Sequence, residues 1–400
     1  MQLTVDSRQL PVGWEIKKLG EVCNISTGKL NANAAVENGK YPFFTCSREI
    51  FSIDCFAFDC EAILLAGNNA VGDFNVKHYK GKFNAYQRTY VITINQQELL
   101  LYRYLYLQIE NNLKDFKLKS VGAGTKFLKL DMIKNLKIHL PPLPEQKQIV
   151  AILDEAFEGI DRAIANTEKN LANSRELFES YLNAIFRQKG DDGWEIKQLS
   201  EICHVVGGGT PSKSNEEFYT GEISRATVRD MKNEIISQTE CRITEEAVKK
   251  SSTNIIKQGN VVIATRVGLG KVCMVAQNTA INQDLKGIIP KNNNQILIRF
   301  LFWWLKSIAP LIKEEGTGAT VQGVKVTFVH ALKIPVPLLS EQKEIITQLD
   351  EISAETQRLE TIYRQKLAAL KELKQSILQK AFTGELTADT AKTEKEEIAA

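Results

Sequence analysis

The chain has 400 residues, of which 43% are hydrophobic and 25% charged, with a formal net charge of +3. This length predicts two or three domains of ordinary soluble composition. The opening residues 1–14 lack a basic segment followed by an apolar core, so we expect no signal peptide. The most apolar stretch, 296–312, is interrupted by Arg299 and Lys306, which excludes an ordinary membrane span. We therefore expect a cytoplasmic protein without a membrane partner.

The chain holds seven cysteines and four histidines, and no C-x-x-C pair occurs. Cysteines of a cytoplasmic protein are expected to be free thiols. The histidines do not lie near a cysteine pair, although His204 directly follows Cys203. Structural zinc requires four ligands at regular spacing, so the sequence predicts no metal site.

Globular and helical segments alternate along the chain. In the globular parts, apolar runs at 62–66, 90–94 and 261–264 are typical of strands. Aromatic-rich amphipathic segments at 99–116 and 296–315 predict helices whose aromatic rings face the core. The fold class is therefore α+β, with two mixed α/β domains and two long helices. The predicted segments are domain 1 over 1–143, a central helix over 144–190, domain 2 over 191–339, a C-terminal helix over 340–386 and a flexible tail over 387–400.

The helical segments show a heptad pattern. Apolar residues over 153–185 and 345–377 step alternately by 4 and 3, which is typical of a coiled-coil seam. A central helix of this length would span ~68 Å and suits a spacer better than a small core. Gly190 and Gly384 are predicted to end the two helices.

The second half of the chain repeats the first. Residues 13–17 recur at 193–197, an offset of 180, and residues 145–147 recur at 341–343, an offset of 196. The second copy thus carries 16 additional residues. Identity is concentrated at the edges of each repeat and fades inside. This pattern favours one scaffold with two divergent working surfaces.

Charge is distributed unevenly between the predicted segments. Residues 1–140 carry a net charge of +5 and residues 191–338 a net charge of +3, whereas 141–190 and 339–400 carry −2 and −3. Basic globular parts beside acidic helices favour phosphate contact by the domains, although small differences also arise by chance on a solvated surface.

Catalytic motifs are missing from the sequence. It contains no P-loop and no H-E-x-x-H, and its Gly-x-Gly pairs at 268–270 and 316–318 lack the third glycine of a dinucleotide-binding turn. An Asn-Pro-Pro-aromatic or Asp-Pro-Pro-aromatic run, expected of an amino-methyltransferase, is also missing. We therefore predict no catalytic residue.

Several polar clusters in the basic domains suit DNA. Hydroxyl and lysine groups on glycine-rich turns can contact phosphates, and amides and arginines can read base edges. Each residue could instead be an ordinary turn or solvated side chain. The candidate contacts are Ser26, Thr27, Lys29, Asn68, Asn69, Gln87 and Arg88 in domain 1, and Thr210, Ser212, Lys213, Arg225, Arg229, Arg266, Asn282 and Gln283 in domain 2.

The ends of both long helices carry a second apolar stripe beside the heptad seam. Exposed apolar residues on two helix faces indicate a partner surface. The globular domains could cover the same stripe instead. The candidate partner-binding residues are Leu177, Leu182, Phe186, Leu373, Leu378 and Phe382.

The chain resembles the specificity subunits of type I restriction-modification systems. The resemblance rests on the Leu-Pro-Pro-Leu-Pro-Glu-Gln segment at 140–146, its counterpart at 336–342 and the ending at 381–386, and it covers 10–386. The second copy departs from the first at Ser340, where the first has Pro144.

The resemblance implies that each domain is a target recognition domain for one half of an asymmetric, bipartite double-stranded DNA site. It implies an antiparallel coiled coil that sets the spacing, two methyltransferase subunits, and restriction-translocase subunits. S-adenosylmethionine, ATP and Mg would belong to those partners, with no cofactor in this chain. Two alternatives remain open: a divergent nuclease or methyltransferase with its own active site, and a coiled-coil adaptor without a DNA role.

Overall fold

The computed structural model describes residues 11–191, 193–318 and 323–387, without the side chains of 188–191. It divides into two compact units, Met1–Thr167 with Gln365–Ala400, and Glu168–Arg364. Each unit holds one globular domain together with part of each long helix. Within the described ranges, no helix has the length and apolar character needed to cross a bilayer.

Domain 1 is built on a six-stranded sheet with the strand order β2-β8-β5-β7-β3-β4, beside the pairs β1-β10 and β6-β9. Strand β5 is buried along its second half because its apolar run Ala62–Ala66 lies at the centre of the sheet. The predicted strands 62–66 and 90–94 are thereby confirmed. The elements are β1 Glu15–Lys18, α1 Leu19–Val22, β2 Cys23–Thr27, β3 Tyr41–Phe44, β4 Phe51–Ile53, β5 Phe58–Ala66, β6 Asn68–Asn69, β7 Val76–Ala85, β8 Thr89–Ile94, α2 Tyr102–Asn111, α3 Leu113–Lys119, β9 Lys126–Phe127, α4 Leu130–Lys134 and β10 Lys137–Leu140.

Domain 2 follows the same plan with two sheets, ordered β12-β20-β17-β18-β14 and β15-β13-β19-β16, and the pair β11-β21. The predicted strand 261–264 is confirmed as β17. The elements are α5 Leu143–Asp191, which precedes the domain, then β11 Glu195–Gln198, α6 Leu199–Ile202, β12 Cys203–Gly207, β13 Ile223–Ala226, β14 Ile235–Ile236, β15 Cys241–Ile243, α7 Glu245–Lys249, β16 Asn254–Ile256, β17 Val261–Ala264, β18 Val272–Val275, β19 Thr279–Ile281, β20 Leu285–Pro290, α8 Ile298–Ser307, α9 Ala309–Glu314, α10 Val326–Ala331, β21 Lys333–Val336 and α11 Leu339–Thr383.

The two sheets of domain 2 correspond to the single sheet of domain 1. The long strand β7 of domain 1 recurs, at the offset of 196, as the separate strands β18 and β19, with a break at residues 276–278. Strands β16 and β17 together take the place of β5, because β16 pairs with β19 as the start of β5 pairs with the end of β7. Domain 2 also inserts β14 and α7 between β13 and β16. The additional residues of the second repeat therefore enlarge its sheet region and leave the surrounding scaffold unchanged.

The predicted helices 99–116 and 296–315 are each two helices. In domain 1 the break falls at Asn112, and in domain 2 at Ile308, both with φ near −90° and ψ near 0°. Pro310 lies in the first turn of α9, where its missing N–H costs no helical hydrogen bond. Trp303 and Trp304 are buried, as the amphipathic pattern predicts, whereas Tyr106 is half-buried and packs against the core.

The long helices have slightly different ends from those predicted. Helix α5 continues through Gly190 to Asp191, so the prediction that this glycine ends the helix is wrong. Gly384, with φ +79°, directly follows α11 and ends it as expected. Thr387, assigned to the tail, is buried and donates to the Glu145 carboxylate at 2.7 Å, so it belongs to the packed unit. The remaining tail residues, 388–400, lie outside the described residues.

A fully buried glutamine anchors each long helix to its domain. Gln146 donates to the carbonyls of Leu99 and Pro141 and accepts from the N–H of Leu101, at 2.8–3.0 Å. Gln342 makes the same three bonds in the second unit, to the carbonyls of residues 295 and 337 and from the N–H of residue 297. The repeated Glu-Gln sequence therefore ties the direction of the helix to the domain before it.

Within each unit the two long helices run antiparallel along the predicted seam. In the first unit Lys374 donates to both carboxylate oxygens of Asp161, at 2.9 and 3.0 Å. In the second unit Arg175 forms a two-bond pair with Glu360 at 2.9 and 3.0 Å. These exposed pairs set register more than stability. The α+β fold class with long, antiparallel helices is confirmed.

Candidate nucleic-acid interface

One end of the domain 1 sheet brings together loops that are far apart in the sequence. The register pairs Thr27 with Tyr90 and Ala66 with Thr89, so strands β2 and β5 end where β8 begins. The carbonyl of Phe44 accepts from the N–H of Tyr86, which places the end of β3 there as well. We call this surface edge 1; it consists of residues 27–31, 45–48, 67–73 and 86–89.

Domain 2 forms the equivalent surface. Gly207 pairs with Lys286 and Ala264 with Leu285, so β12 and β17 end where β20 begins. The N–H of Asn282 donates to the carbonyl of Ala226 at the end of β13. We call this surface edge 2; it consists of residues 207–213, 226–229, 265–271 and 282–284.

The glycine turns of both edges are required by the protein backbone itself. An added Cβ at Gly28 would lie 1.8 Å from the carbonyl oxygen of Ala85, and one at Gly208 would lie 2.1 Å from that of Asn282. No side chain fits at such distances. These glycines bring the turn against the neighbouring strand, and phosphate approach is not needed to explain them.

Gln87 and Gln283 occupy the same place on the two edges and are both exposed. The Gln87 amide donates to the side-chain carbonyl of Asn31 at 2.8 Å, whereas the Gln283 carbonyl accepts from the Thr210 hydroxyl. A glutamine amide has two N–H groups and two carbonyl lone pairs, so one such bond leaves groups that can bind a base edge. Each glutamine is thus held in orientation by a residue of its own glycine turn.

Arg225 extends this arrangement on edge 2. Its Nη2 donates to the Thr210 hydroxyl at 2.8 Å, and only 8% of the residue is exposed. Its Nε has no hydrogen-bond partner within the part of the chain that the structure describes. Arg225 is therefore better placed to position Thr210 and Gln283 than to reach deeply into a groove.

Asn68 and Arg266 also hold matching positions, because Asn68 pairs with Phe127 and Arg266 with Gly323, and these two partners are 196 residues apart. Asn68 and Arg266 themselves are 198 apart, since the loop after β17 is two residues shorter than the loop after β5. The side-chain carbonyl of Asn68 is buried and has no protein partner among the described residues. The Arg266 guanidinium is half-exposed and lies 3.9 Å from the Asp284 carboxylate. The two edges therefore present an amide and a cation at the same structural position.

Two predicted contacts serve the loops instead. The Asn69 carbonyl accepts from the backbone N–H groups of Val71 and Asp73, at 2.9 and 3.0 Å. Asn282 is buried, donates to the Asp284 carboxylate at 2.8 Å and accepts from the N–H of the same residue. These bonds use the groups that would read a base, so the loop-stabilising alternative describes both residues.

The remaining predicted residues have exposed side chains and lie on the edges, except Ser26, which directly precedes edge 1. None is held in a base-reading geometry. Arg88 lies over the ring of Phe127 at 5.1 Å, and the Ser212 hydroxyl lies 2.7 Å from that of Ser214. Hydroxyl and cationic groups of this kind suit phosphate oxygens. The exposed set comprises Ser26, Thr27, Lys29, Arg88, Ser212, Lys213 and Arg229.

Sequence patterns did not reveal a second group of cations at edge 1. The Arg48 guanidinium donates to Asp73 at 2.7 Å, and this bond lowers the pKa of the Asp73 carboxyl. The Lys117 and Lys126 side chains lie beside Gly72. These residues come from separate loops that only the folded chain brings together, and no spacing in the sequence indicates it.

The predicted partner-binding stripe is largely covered by its own domain. Leu182 and Phe186 pack into the core of the second unit, and Leu378 and Phe382 into that of the first, where Phe382 contacts the Tyr104 ring edge-on at 5.5 Å. These four residues follow the alternative in which the globular domain covers the stripe, with Phe186 only partly buried. Leu177 and Leu373 are 73% and 46% exposed.

The described residues contain no cluster of three or more potential metal ligands. All seven cysteines are free thiols. Burial raises the pKa of the Cys23 and Cys203 thiols to about 12. Unreactive buried thiols of this kind are typical of structural cysteines.

Comparison with known proteins identifies the family. The family described as Type I restriction modification DNA specificity domain matches residues 11–172 and 191–369. The chain is 28% identical over 419 residues to the EcoDI specificity subunit of Escherichia coli, covering 95% of this chain and 90% of that one. It is 32% identical over 236 residues to the EcoR124I/EcoR124II specificity subunit of Escherichia coli, covering 56% of each.

Solved structures share the fold. A chain from a study of complex assembly and conformational transition of the type I R-M system aligns with a TM-score of 0.74 and 21% identity, over 94% of this chain and 99% of that one. The HsdS subunit from Thermoanaerobacter tengcongensis aligns with a TM-score of 0.56 and 21% identity, over 96% and 100%. The repeated domains, the long helices and the family match agree: the chain belongs to the specificity subunits of type I restriction-modification systems.

Proposed function

We propose that each domain reads one half of a bipartite, asymmetric site in double-stranded DNA through its edge. One observation carries the proposal: the two edges join equivalent strand ends but carry different side chains at matching positions. Asn68 of domain 1 has Arg266 at the matching position of domain 2. Gln87 is bonded to Asn31, whereas Gln283 is bonded to Thr210. One scaffold with two sets of reading groups predicts two different half-sites.

The chemistry of the edges suits the division of labour in DNA recognition. Exposed lysines and arginines contact phosphates and fix the register, whereas amides and arginines discriminate base edges in the major groove. Gln87 and Gln283 match adenine, and Arg266 matches guanine. Two such readers on one face of the duplex would contact half-sites centred about one helical turn, ~10 bp, apart.

The long helices would fix the spacing and receive partners. Gln146 and Gln342 couple each domain rigidly to a helix start, which a spacer requires. We propose that two methyltransferase subunits bind the exposed helix faces, where Leu177 and Leu373 lie. The restriction-translocase subunits would join this complex. S-adenosylmethionine, ATP and Mg would be bound by these partners, and this chain would perform no chemistry.

A reconstitution experiment tests the proposal against the enzyme alternative. The purified chain, the methyltransferase alone and the complex are each compared for DNA mobility shift and for methyl transfer or cleavage. We expect sequence-specific binding and methylation only from the complex that contains this chain. Methylation or cleavage by the chain alone would support a divergent enzyme. A complex that assembles but binds DNA no more specifically than the methyltransferase alone would support a pure adaptor.

A further inference from the structure

An exposed valine recurs at the tip of one loop on each edge. Val71 and Val267 are 66% and 51% exposed and lie 196 residues apart. Each is followed by a glycine, Gly72 or Gly268, with the same left-handed φ of +73°. Each valine lies five residues before the first residue of the next strand, Val76 of β7 or Val272 of β18. Two domains that have diverged in their working residues have therefore kept the same apolar tip.

Val267 occupies this position at a conformational cost. Its φ is +50°, in the left-handed region that β-branched residues rarely adopt and that glycine or asparagine adopts readily. The loop is held there, because a Cβ at Gly268 would lie 2.8 Å from Val228 and the N–H of Arg266 donates to the carbonyl of Asp284. Strained residues that the surrounding structure retains are concentrated at functional sites.

The loop of Val71 is fixed by different means. The Asn69 side-chain carbonyl accepts from the N–H of Val71 itself at 2.9 Å and from the N–H of Asp73 at 3.0 Å. Arg48 then binds the Asp73 carboxylate. The valine is therefore presented by an organised turn, and the role of Asn69 is to build that turn.

The surroundings of the valines are cationic and polar. Lys117 and Lys126 lie beside Gly72 on edge 1. On edge 2, Arg266 precedes Val267, and the Lys271 ammonium donates to the Val228 carbonyl at 3.5 Å. A valine surrounded by cations and amides is complementary to a partner surface that is negatively charged and carries isolated apolar groups. In the major groove of DNA that apolar group is the C5-methyl of thymine.

We propose that Val71 and Val267 each contact the C5-methyl group of a thymine, one in each half-site. The inference rests on the proposed function and adds thymine readers to the amide and guanidinium groups of the edges. It predicts at least one A·T pair, read through its thymine, in each half-site. A half-site composed only of G·C pairs would contradict it.

The test replaces thymine by deoxyuridine, which lacks only the methyl group. The reconstituted complex is titrated with duplexes that carry one such replacement at each thymine of the recognised sequence. We expect one position in each half-site to weaken binding about fourfold, the change that corresponds to about 0.8 kcal/mol for one buried methyl group. Val71→Ala should abolish the difference in the first half-site only, and Val267→Ala in the second only.

Two further variants separate reading from folding. Val267→Asn relieves the left-handed strain, so its thermal unfolding midpoint should not fall although its thymine discrimination is lost. Val36→Ala removes an exposed valine from a loop outside edge 1 and should leave both half-sites unchanged. If deoxyuridine has no effect on the parent complex, or the effect persists in the alanine variants, the inference is wrong while the proposed function stands. Absence of any sequence-specific binding would overturn the proposed function itself.

Discussion

Replacing Gln146 by leucine removes the amide that joins the start of α5 to domain 1. The side chain is fully buried and satisfies two backbone carbonyls and one backbone N–H, those of Leu99, Pro141 and Leu101. Leucine fills similar space but offers no hydrogen bond. The three backbone groups lie where the domain packs on the helix, and they would lose their partner together.

The expected loss of stability follows from those three groups. Each buried backbone group left unpaired costs about 1–3 kcal/mol, and partial relaxation brings the sum to about 3–5 kcal/mol. Gln146→Glu should be comparably destabilising, because its carboxylate cannot donate to the two carbonyls. The next residue, Lys147, is exposed, so Lys147→Leu should change the free energy of unfolding by less than about 0.5 kcal/mol.

Urea unfolding followed by circular dichroism measures the effect, with Gln342→Leu as the matched variant of the second unit. Because the chain has two units, a separate transition for the affected unit is expected. A change below about 1 kcal/mol in Gln146→Leu, set against the cost of unpaired buried groups, would refute the anchoring role. Loss of the Gln146 bonds should also reduce the difference in affinity of the complex for duplexes of different spacer length. Duplexes whose half-sites are moved apart or together by single base pairs measure this difference.

Three other results are expected. Because Arg225 positions Thr210 and Gln283, Arg225→Ala should relax the position that Gln283 reads, in the second half-site only, by about 1–3 kcal/mol, the discrimination of one bidentate base contact. Titration of single-substitution duplexes measures this, and equal relaxation of both halves would contradict it. Gly28→Ala should destabilise domain 1 strongly, whereas Gly124→Ala, whose Cβ would meet nothing within 4 Å, should leave the unfolding midpoint nearly unchanged. Burial raises the pKa of Cys23 and Cys203 to about 12, so their contribution to stability is complete below pH 9 and is lost as pH rises towards 12. Cys23→Ala should therefore reduce the loss of thermal stability between pH 8 and 10, and an unchanged loss would count against a neutral buried thiol.

Much of the fold could be predicted from the sequence because its signals are local. The strands 62–66 and 261–264 are uninterrupted apolar runs, and the heptads mark the long helices over many turns. The breaks at Asn112 and Ile308 were missed because the apolar periodicity continues across them. Gly190 was misassigned as a helix end because a glycine near a predicted end also fits inside a helix at modest cost.

The edges could be predicted only in part. The offset of 196 identifies Gln87 and Gln283 as equivalent without any structure, whereas the bond from Arg225 to Thr210 joins two turns that no pattern links. Asn69 and Asn282 were predicted as base readers because amides that stabilise loops and amides that read bases look alike in a sequence. Leu182 and Leu378 show the same limit for apolar residues, since an amphipathic stripe does not tell which surface covers it.

The most direct measurement is methylome sequencing of the host with this gene intact, deleted and restored. We expect one asymmetric motif, with two different defined half-sites on either side of an unspecified spacer, to depend on the gene. Deletion should remove methylation of that motif, and restoration should return it. A gene-dependent motif that is continuous or palindromic, or a methylome that deletion leaves unchanged, would contradict the role of the two edges as readers of two half-sites.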